Sequence, residues 1–107
     1  KLMEAIGFDM VRGITASAGG IYGPQGRELR GKLKYPELNG KIEKFSYQGR
    51  RITNLEMETS ALYGLSKLLG HKALTVCVAI ANRVTKDFSK DYKPYVEELI
   101  KIVLERI

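Results

Sequence analysis

The sequence is poor in the residues that build metal centres and covalent cross-links. Its 107 residues include a single cysteine, Cys77, a single histidine, His71, and no tryptophan. A lone cysteine excludes an intramolecular disulfide and suits a reducing compartment, so we expect a cytoplasmic location. One cysteine and one histidine are too few for a zinc site, and we predict no metal.

Long hydrophobic stretches are missing as well. The longest uninterrupted apolar run, VCVAIA from Val76 to Ala81, is far too short to span a bilayer. Nothing at the start of the sequence resembles a signal peptide, and we expect no membrane partner. With 44% hydrophobic and 28% charged residues, the composition is that of one soluble globular domain with a modest core.

Positive charge is the one excess, at a net +6. Binding to nucleic acid is one explanation, with RELRGKLK from Arg27 to Lys34 as its best patch. The other basic residues are scattered among acidic ones, and no basic stripe is interleaved with aromatic residues. An anionic small substrate explains the charge equally well, so we predict no nucleic-acid partner and keep that class as an alternative.

Helical and extended patterns alternate along the first half of the chain. KLMEAIGFD resembles the end of a helix stopped by Gly7, which suggests a piece of a longer protein. A mostly buried strand is predicted for Phe8–Ser17, and the glycine-rich Ala18–Arg27 must be a loop. A short helix is expected over Asn39–Phe45, and GRRITNL, residues 49–55, indicates a turn that leads into a short strand.

The second half continues the alternation. A helix follows residue 53 and ends at Gly70, with an apolar stripe formed by Ala61, Leu62, Leu65, Leu68 and Leu69. KALTVCVAIAN, residues 72–82, predicts a fully buried strand that would bury Cys77, and Tyr92–Ile107 has helical spacing. Strands alternating with helices indicate a layered α/β fold.

The tripeptide Glu56-Met57-Glu58 at the mouth of the third helix has two interpretations. In the first, Thr53 and Glu56 form a capping box and Glu58 favours the positive end of the helix dipole. In the second, a carboxylate accepts two hydroxyl hydrogens of a ribose, and Met57 covers one face of the sugar. If Glu56 and Glu58 are both extended, their side chains face the same side of the strand. If both are helical, their side chains diverge and only one can hold the sugar, for which we choose Glu58.

The sequence resembles the uridine phosphorylase branch of the nucleoside phosphorylase family in two consecutive segments. These are NLEMETSALYGLSKLLG, residues 54–70, and the predicted strand that follows it and ends in AIANR, residues 79–83. The upstream segment GITASAGGIYGPQGR resembles the base-binding loop of the same branch, and the order and spacing agree over residues 1–107. The resemblance implies a three-layer α/β/α fold of which residues 1–107 form the C-terminal portion. The rest of the domain and a homo-oligomer, either a dimer or a hexamer, are the implied protein partners.

The implied reaction is phosphorolysis of uridine to uracil and ribose 1-phosphate. Inorganic phosphate is the co-substrate and no cofactor is implied. By resemblance Glu56, Met57 and Glu58 bind ribose, the last two most directly, while Gln25 and Arg27 bind the base. Arg27 and Glu58 are the predicted catalytic residues, because Arg27 would stabilise charge on the departing uracil and Glu58 would hold the ribose in a reactive pucker.

The residue types of the loop suit a uracil edge. A glutamine amide can accept from the ring N–H and donate to one carbonyl, and an arginine can donate to the other carbonyl. Gly23 and Gly26 would let the loop approach a ligand closely. Without the resemblance, a solvated surface loop whose polar residues have no target is the alternative.

Further base-site residues follow from the resemblance. Arg83 would support Gln25, although an arginine there could equally cap a helix or pair on the surface. Ile21 stands where some relatives have a phenylalanine, so stacking on the nucleoside would be weaker. Ile80 and Ala81 would line the base pocket or belong to a plain core.

The predicted substrate is a pyrimidine nucleoside because of Asn82. Purine-specific relatives carry an aspartate there that can donate a proton to the purine, which Asn82 cannot do. No phosphate-binding segment is recognisable, so we expect the isolated chain to be inactive. A purine nucleoside phosphorylase, a nucleosidase and an inactive nucleoside-binding fragment are the alternatives.

Overall fold

The computed structural model describes residues 2–107 as a mixture of helices and short strands, which confirms the α/β class. The elements in chain order are α1 (Leu2–Ile6), β1 (Ile14–Ser17), a 3-10 turn (Gly23–Gln25), α2 (Leu38–Lys44), β2 (Ser46–Tyr47), β3 (Arg50–Glu56), α3 (Thr59–Leu68), β4 (Ala81–Asn82), β5 (Asp87–Phe88) and α4 (Lys93–Glu105). They form two compact units. The central unit runs from Val11 to Ala73, and the terminal unit contains α1 and the chain from Leu74 onwards.

The central unit is organised around β3, which pairs in parallel with β1 and antiparallel with β2. The predicted strand over Phe8–Ser17 is therefore only partly right. Residues 8–10 form a turn in which the Met10 N–H donates to the Gly7 carbonyl at 3.2 Å. The parallel register ends with Ser17 opposite Glu56, so the carboxyl ends of both strands lie side by side.

The connections in this unit follow local sequence signals. Gln48 and Gly49 join β2 to β3 as a two-residue turn with φ of 49° and 73°, the left-handed pair that tight hairpins require. The predicted turn into a strand is confirmed, as is the predicted short helix, which is α2. The Arg51 guanidinium donates to the Glu43 carbonyl near the end of α2 at 3.0 Å and ties that helix to β3.

The third helix, α3, is confirmed but begins at Thr59, later than its capping pattern suggested. It stops where expected, because Gly70 is left-handed at φ 72°. The His71 N–H donates to the Ser66 carbonyl at 2.7 Å, and the Gly70 N–H donates to the Lys67 carbonyl at 3.3 Å. This is a Schellman arrangement, which satisfies carbonyls that the helix end would otherwise leave without donors.

The apolar stripe of α3 is not covered by the rest of the chain that the structure describes. Leu62, Leu65 and Leu69 are 48%, 58% and 65% exposed. The helix meets β1 at its first turn instead, where Thr59 is buried and the Ser60 N–H donates to the Ser17 hydroxyl at 3.1 Å. Contact through the first turn leaves the following turns in solvent.

The terminal unit is held by Arg106 at the end of α4, the helix predicted for the C-terminal segment. Its guanidinium donates to both carboxylate oxygens of Asp9 at 2.7 and 2.9 Å, and to the Ile6 carbonyl at 2.6 Å. It also lies 4.5 Å from the centre of the Phe8 ring. The hydrogen bonds from Arg106 lower the pKa of Asp9. These contacts fasten the segment after α1 onto α4.

The predicted buried strand over residues 72–82 is wrong. Residues 71–80 form neither helix nor strand, and Cys77 is exposed. A strand needs neighbours for its backbone N–H and C=O groups, and the pairing partner in this unit, β5, is two residues long. Of the predicted strand, only Ala81–Asn82 forms β4. None of the helices among residues 2–107 has the length and apolar character that crossing a bilayer requires.

Candidate functional site

The candidate site starts where β1 and β3 end. The loop begins directly after β1, and the N–H of its first residue, Ala18, donates to the Glu56 carbonyl at 3.0 Å. The Met57–Glu58 turn begins directly after β3. Ligands of parallel sheets bind beyond the carboxyl ends of the strands. The structure therefore brings the starts of both predicted binding segments together, while a cavity shared by their far ends stays a prediction.

The loop is ordered by Arg27 and the Tyr22 carbonyl. The Arg27 guanidinium donates to the Ile21 carbonyl at 2.5 Å and, more weakly, to Gln25 Oε1 at 3.4 Å. The N–H groups of Gln25 and Arg27 both donate to the Tyr22 carbonyl at 3.0 Å. Gln25 is only 4% exposed, so its side chain is buried and not solvated. The structure thus joins the two predicted base-binding residues in one arrangement.

Next to these polar groups the loop presents an apolar edge. Ile21 and Tyr22 are 48% and 55% exposed although both are large and hydrophobic. They adjoin the carbonyl groups that organise Gln25 and Arg27. Apolar surface beside a few directed polar groups is the usual make-up of a small-molecule site.

Gly26 is the tightest point of the loop. Its φ is 69°, and a Cβ there would overlap the side chain of Asn39, whose amide donates to the Gly26 carbonyl at 3.0 Å. For a residue with a Cβ, a left-handed backbone conformation destabilises the folded state by roughly 1–2 kcal/mol, before any steric overlap is counted. The glycine is therefore needed for the backbone angle, and a Cβ there would also displace the end of the Asn39 side chain.

We predict that Gly26→Ala lowers the free energy of unfolding by about 2 kcal/mol, the sum of left-handed strain and overlap with Asn39. Gly23→Ala is the matched control, because a Cβ at Gly23 meets nothing within 4 Å and its φ is not left-handed. Chemical denaturation of both variants measures the difference. Equal stability of the two would contradict the prediction.

Glu56 holds the turn between β3 and α3 through its carboxylate. Oε2 accepts the N–H of Glu58 at 2.8 Å and that of Thr59 at 2.7 Å. The predicted capping box is wrong, since Thr53 lies within β3 and the residue at the N-cap of α3 is Glu58. Pairing with β1 keeps residues 52–56 extended, so Glu56 satisfies the amides from the end of the strand.

The environment of Glu56 keeps it ionised. Burial alone would raise its pKa, but hydrogen bonds from the Thr59 side chain, the Glu58 N–H, the Ser17 side chain and the Thr59 N–H outweigh burial and lower the pKa from 4.5 to about 2. The stabilisation is complete above the ordinary pKa and is lost as the pH falls towards 2. Oε1 is buried and has no hydrogen-bond partner among residues 2–107.

Two serines link the strand end to the helix start. The hydroxyl oxygens of Ser17 and Ser60 are hydrogen-bonded at 3.1 Å, and the Ser17 oxygen accepts the Ser60 N–H at the same distance. Sequence reasoning missed both residues. A signal was available in the hydroxyl pair Thr59-Ser60 directly after Glu58, since such residues favour helix N-termini. The position of Ser17 opposite Glu56 depends on the strand register.

Met57 and Glu58 remain accessible. Met57 is 43% exposed, Glu58 is exposed, and Glu58 Oε2 accepts the Met57 N–H at 3.2 Å. Glu56 is extended whereas Glu58 is already helical, at φ −114° and ψ −30°. The two carboxylates therefore differ in surroundings, because Glu56 is half-buried and accepts the N–H groups of Glu58 and Thr59, whereas Glu58 is exposed and accepts the N–H of Met57.

The remaining predicted residues lie in the terminal unit. Ile80 is 47% exposed and Ala81 is also exposed, so neither belongs to a plain core. The oxygen of the Asn82 amide accepts the N–H of Val84 at 2.9 Å and that of Thr85 at 3.3 Å, which shapes the turn after β4. Arg83 is half-buried. The base-site roles of Arg83 and Ile80 stay predictions.

Comparison with known proteins gives the family. The model of the phosphorylase superfamily matches residues 1–107. The chain belongs to this superfamily. A curated superfamily member, the uridine phosphorylase of Thermococcus kodakarensis, is 39% identical over 93 residues, which cover 81% of this chain and 31% of the relative. The chain thus spans about a third of the length of that relative, and no solved structure matches it.

The superfamily match confirms the resemblance seen in the sequence. It supports a nucleoside phosphorylase of the uridine phosphorylase type. A phosphorylase whose substrate is a nucleoside needs contacts for a base and for a sugar. The loop after β1 and the turn after β3 are the two segments of this chain whose residue types suit those contacts.

Proposed function

We propose that the complete protein carrying this chain is a uridine phosphorylase, a glycosyltransferase that cleaves uridine with inorganic phosphate to uracil and ribose 1-phosphate. The observation that carries the proposal is the placement of the Gln25/Arg27 loop and the Glu56–Glu58 turn on neighbouring ends of parallel strands. The name of the relative from Thermococcus kodakarensis supports uridine as the substrate.

In this proposal the base is bound by the loop. Arg27 donates to Gln25 Oε1, which orients the buried Gln25 amide, and binding requires the loop to open enough for both side chains to bond the carbonyl and N–H edge of uracil. Ile21 supplies apolar contact. The ribose lies against Met57, and the Glu58 carboxylate accepts from its two hydroxyls.

The chemistry follows from this arrangement. The glycosidic C–N bond breaks ahead of phosphate attack, so the sugar becomes oxocarbenium-like and the uracil ring gathers negative charge. The Arg27 guanidinium, held by the Ile21 carbonyl, stabilises that charge more in the transition state than in the ground state. Phosphate then bonds to the anomeric carbon on the opposite face, and the released electron pair stays on uracil until a proton arrives.

The phosphate contacts are proposed to come from the rest of a phosphorylase domain, which is also the proposed partner of this chain. Two features support that partner. The apolar face of α3 is exposed, and residues 71–80 have strand-like composition but do not form a strand. A three-layer α/β/α domain would cover the apolar face of α3 and give residues 71–80 a place in its sheet. We further propose that the complete protein assembles into a dimer or a hexamer and serves pyrimidine salvage in the cytoplasm.

The deciding assay follows uracil release by the complete protein, with and without phosphate. We expect release from uridine that requires phosphate, and no hypoxanthine from inosine, since Asn82 carries no proton for a purine. Release without phosphate would indicate a nucleosidase, and turnover of inosine would indicate a purine enzyme. The isolated chain of residues 1–107 should release no uracil, and measurable phosphate-dependent release from it would overturn that part of the proposal.

A further inference from the structure

The hydrogen bonds of Glu56 divide the three residues Glu56–Glu58 by role. A carboxylate that binds two neighbouring hydroxyls of ribose must offer accessible oxygens to both. Glu56 does not, because Oε2 is engaged by two backbone N–H groups and Oε1 is buried. A sugar hydroxyl would have to reach Oε1 through space that water cannot enter.

Glu58 has the opposite surroundings. It is exposed, and its side chain makes no capping hydrogen bond to the amides of α3. Its backbone N–H is held by Glu56 at 2.8 Å, and its Oε2 accepts the Met57 N–H of the same turn at 3.2 Å. Glu56 therefore fixes the backbone of the turn from which the Glu58 side chain departs.

A second support comes from Ser17. Its hydroxyl bonds both the hydroxyl and the N–H of Ser60, in the first turn of α3, at 3.1 Å. It also contributes to the hydrogen bonding around Glu56. Because Ser17 is the last residue of β1, it ties the turn to the strand from which the base-binding loop departs.

We propose that Ser17 and Glu56 are positioning residues, which hold the Met57–Glu58 turn in place, and that Glu58 alone supplies the carboxylate to the ribose. This inference rests on the proposed function, since it concerns the sugar subsite of that reaction. The loop side chains reach the base without this turn. Ligands that carry a sugar therefore depend on Ser17 and Glu56, and the free base does not.

The test is a double-mutant cycle in the complete protein, with the Kd of uridine and of uracil as readouts. Glu56→Gln should raise the Kd of uridine about tenfold, because the charge-assisted hydrogen bonds that hold the turn are weakened. The Kd of uracil should stay within about twofold of the wild-type value. In a Glu58→Gln background, Glu56→Gln should raise the Kd of uridine less than about twofold, because the carboxylate whose turn Glu56 holds is already gone.

Two outcomes would overturn the proposal. If Glu56 binds ribose directly, Glu56→Gln will raise the Kd of uridine about tenfold in the Glu58→Gln background as well. If Glu56 serves stability alone, Glu56→Gln will raise the Kd values of uridine and uracil by the same factor. A wild-type protein that binds neither ligand would instead remove the proposed function, and with it this inference, so the two failures are distinguishable.

Ser17 keeps the test decisive if Glu56→Gln does not fold. Ser17→Ala should weaken uridine about threefold, and Ser17→Thr should restore binding because it retains the hydroxyl. The alanine effect should again vanish in the Glu58→Gln background. An effect of Ser17→Ala that is equal for uridine and uracil, or that survives in the Glu58→Gln background, would contradict the positioning role.

Discussion

Replacing Glu58 by alanine in the complete protein is expected to lower kcat/KM for uridine about a hundredfold while the Kd of uracil stays within about twofold. A carboxylate that bridges two hydroxyls makes two charge-assisted hydrogen bonds, each of about 1.5 kcal/mol or more. Losing both removes about 3 kcal/mol, and each 1.4 kcal/mol is roughly a factor of ten in rate. Steady-state kinetics and uracil titration measure the two quantities.

Controls separate this effect from a general loss of charge or stability. Glu58→Gln keeps the size and one acceptor, so its loss should be about tenfold, between wild type and alanine. Glu98→Ala removes another exposed carboxylate, on α4, and should change neither quantity. Because Glu58 makes no side-chain bond to the amides of α3, its removal should alter the unfolding free energy little. A matching loss for uracil would refute the assignment of Glu58 to the sugar.

Replacing Arg27 by alanine is expected to lower kcat for uridine between about a hundredfold and a thousandfold, the usual cost of removing one donor to a developing anion. Arg27→Lys should recover only part of this, because a lysine keeps the charge but lacks the planar guanidinium, in which Nη1 bonds the Ile21 carbonyl and Gln25 and a second nitrogen is left to donate to uracil. Gln25→Ala should raise the Kd of uracil about tenfold, because hydrogen bonds to the base are lost. Rapid-quench measurement of the chemical step isolates the effect on kcat from binding.

The leaving group offers a sharper readout of Arg27. A uracil that carries an electron-withdrawing 5-fluoro group stabilises its own negative charge, so Arg27→Ala should slow 5-fluorouridine less than uridine. Arg30→Ala is the control, since Arg30 is an exposed neighbour in the same basic stretch. Equal losses for the two substrates would exclude leaving-group stabilisation by Arg27. Equal effects of Arg27→Ala and Arg30→Ala on turnover would contradict a specific role for Arg27.

Predictions from sequence succeeded where a signal acts within a few residues. The stop of α3 at Gly70 depends on a left-handed backbone angle, which glycine adopts without the strain of a side chain. The turn at Gln48 and Gly49, the helix α2 and the helix α4 are local in the same sense. The loop after β1 was equally readable, because its glycines and proline prevent a longer helix or strand and leave only the 3-10 turn over Gly23–Gln25.

Predictions failed where burial depends on residues distant in the sequence. The apolar stripe of α3 and the run through Cys77 have the composition of a core, yet the stripe is exposed and the run is exposed or only half-buried. Composition reports what a segment is able to bury and not whether a neighbour is present to cover it. A strand likewise forms only when another strand accepts and donates its hydrogen bonds.

The sequence by itself determined the residue types of the candidate site, namely the amide and guanidinium of the loop and the carboxylates of the turn, because chemistry belongs to side chains. Only the tertiary structure decided their roles. Parallel pairing sets Ser17 opposite Glu56 across 39 residues of chain, and the turn after β3 directs Glu56 to backbone amides while Glu58 stays exposed. Spacing along the chain does not encode that difference, since it arises from which backbone groups the fold leaves without partners.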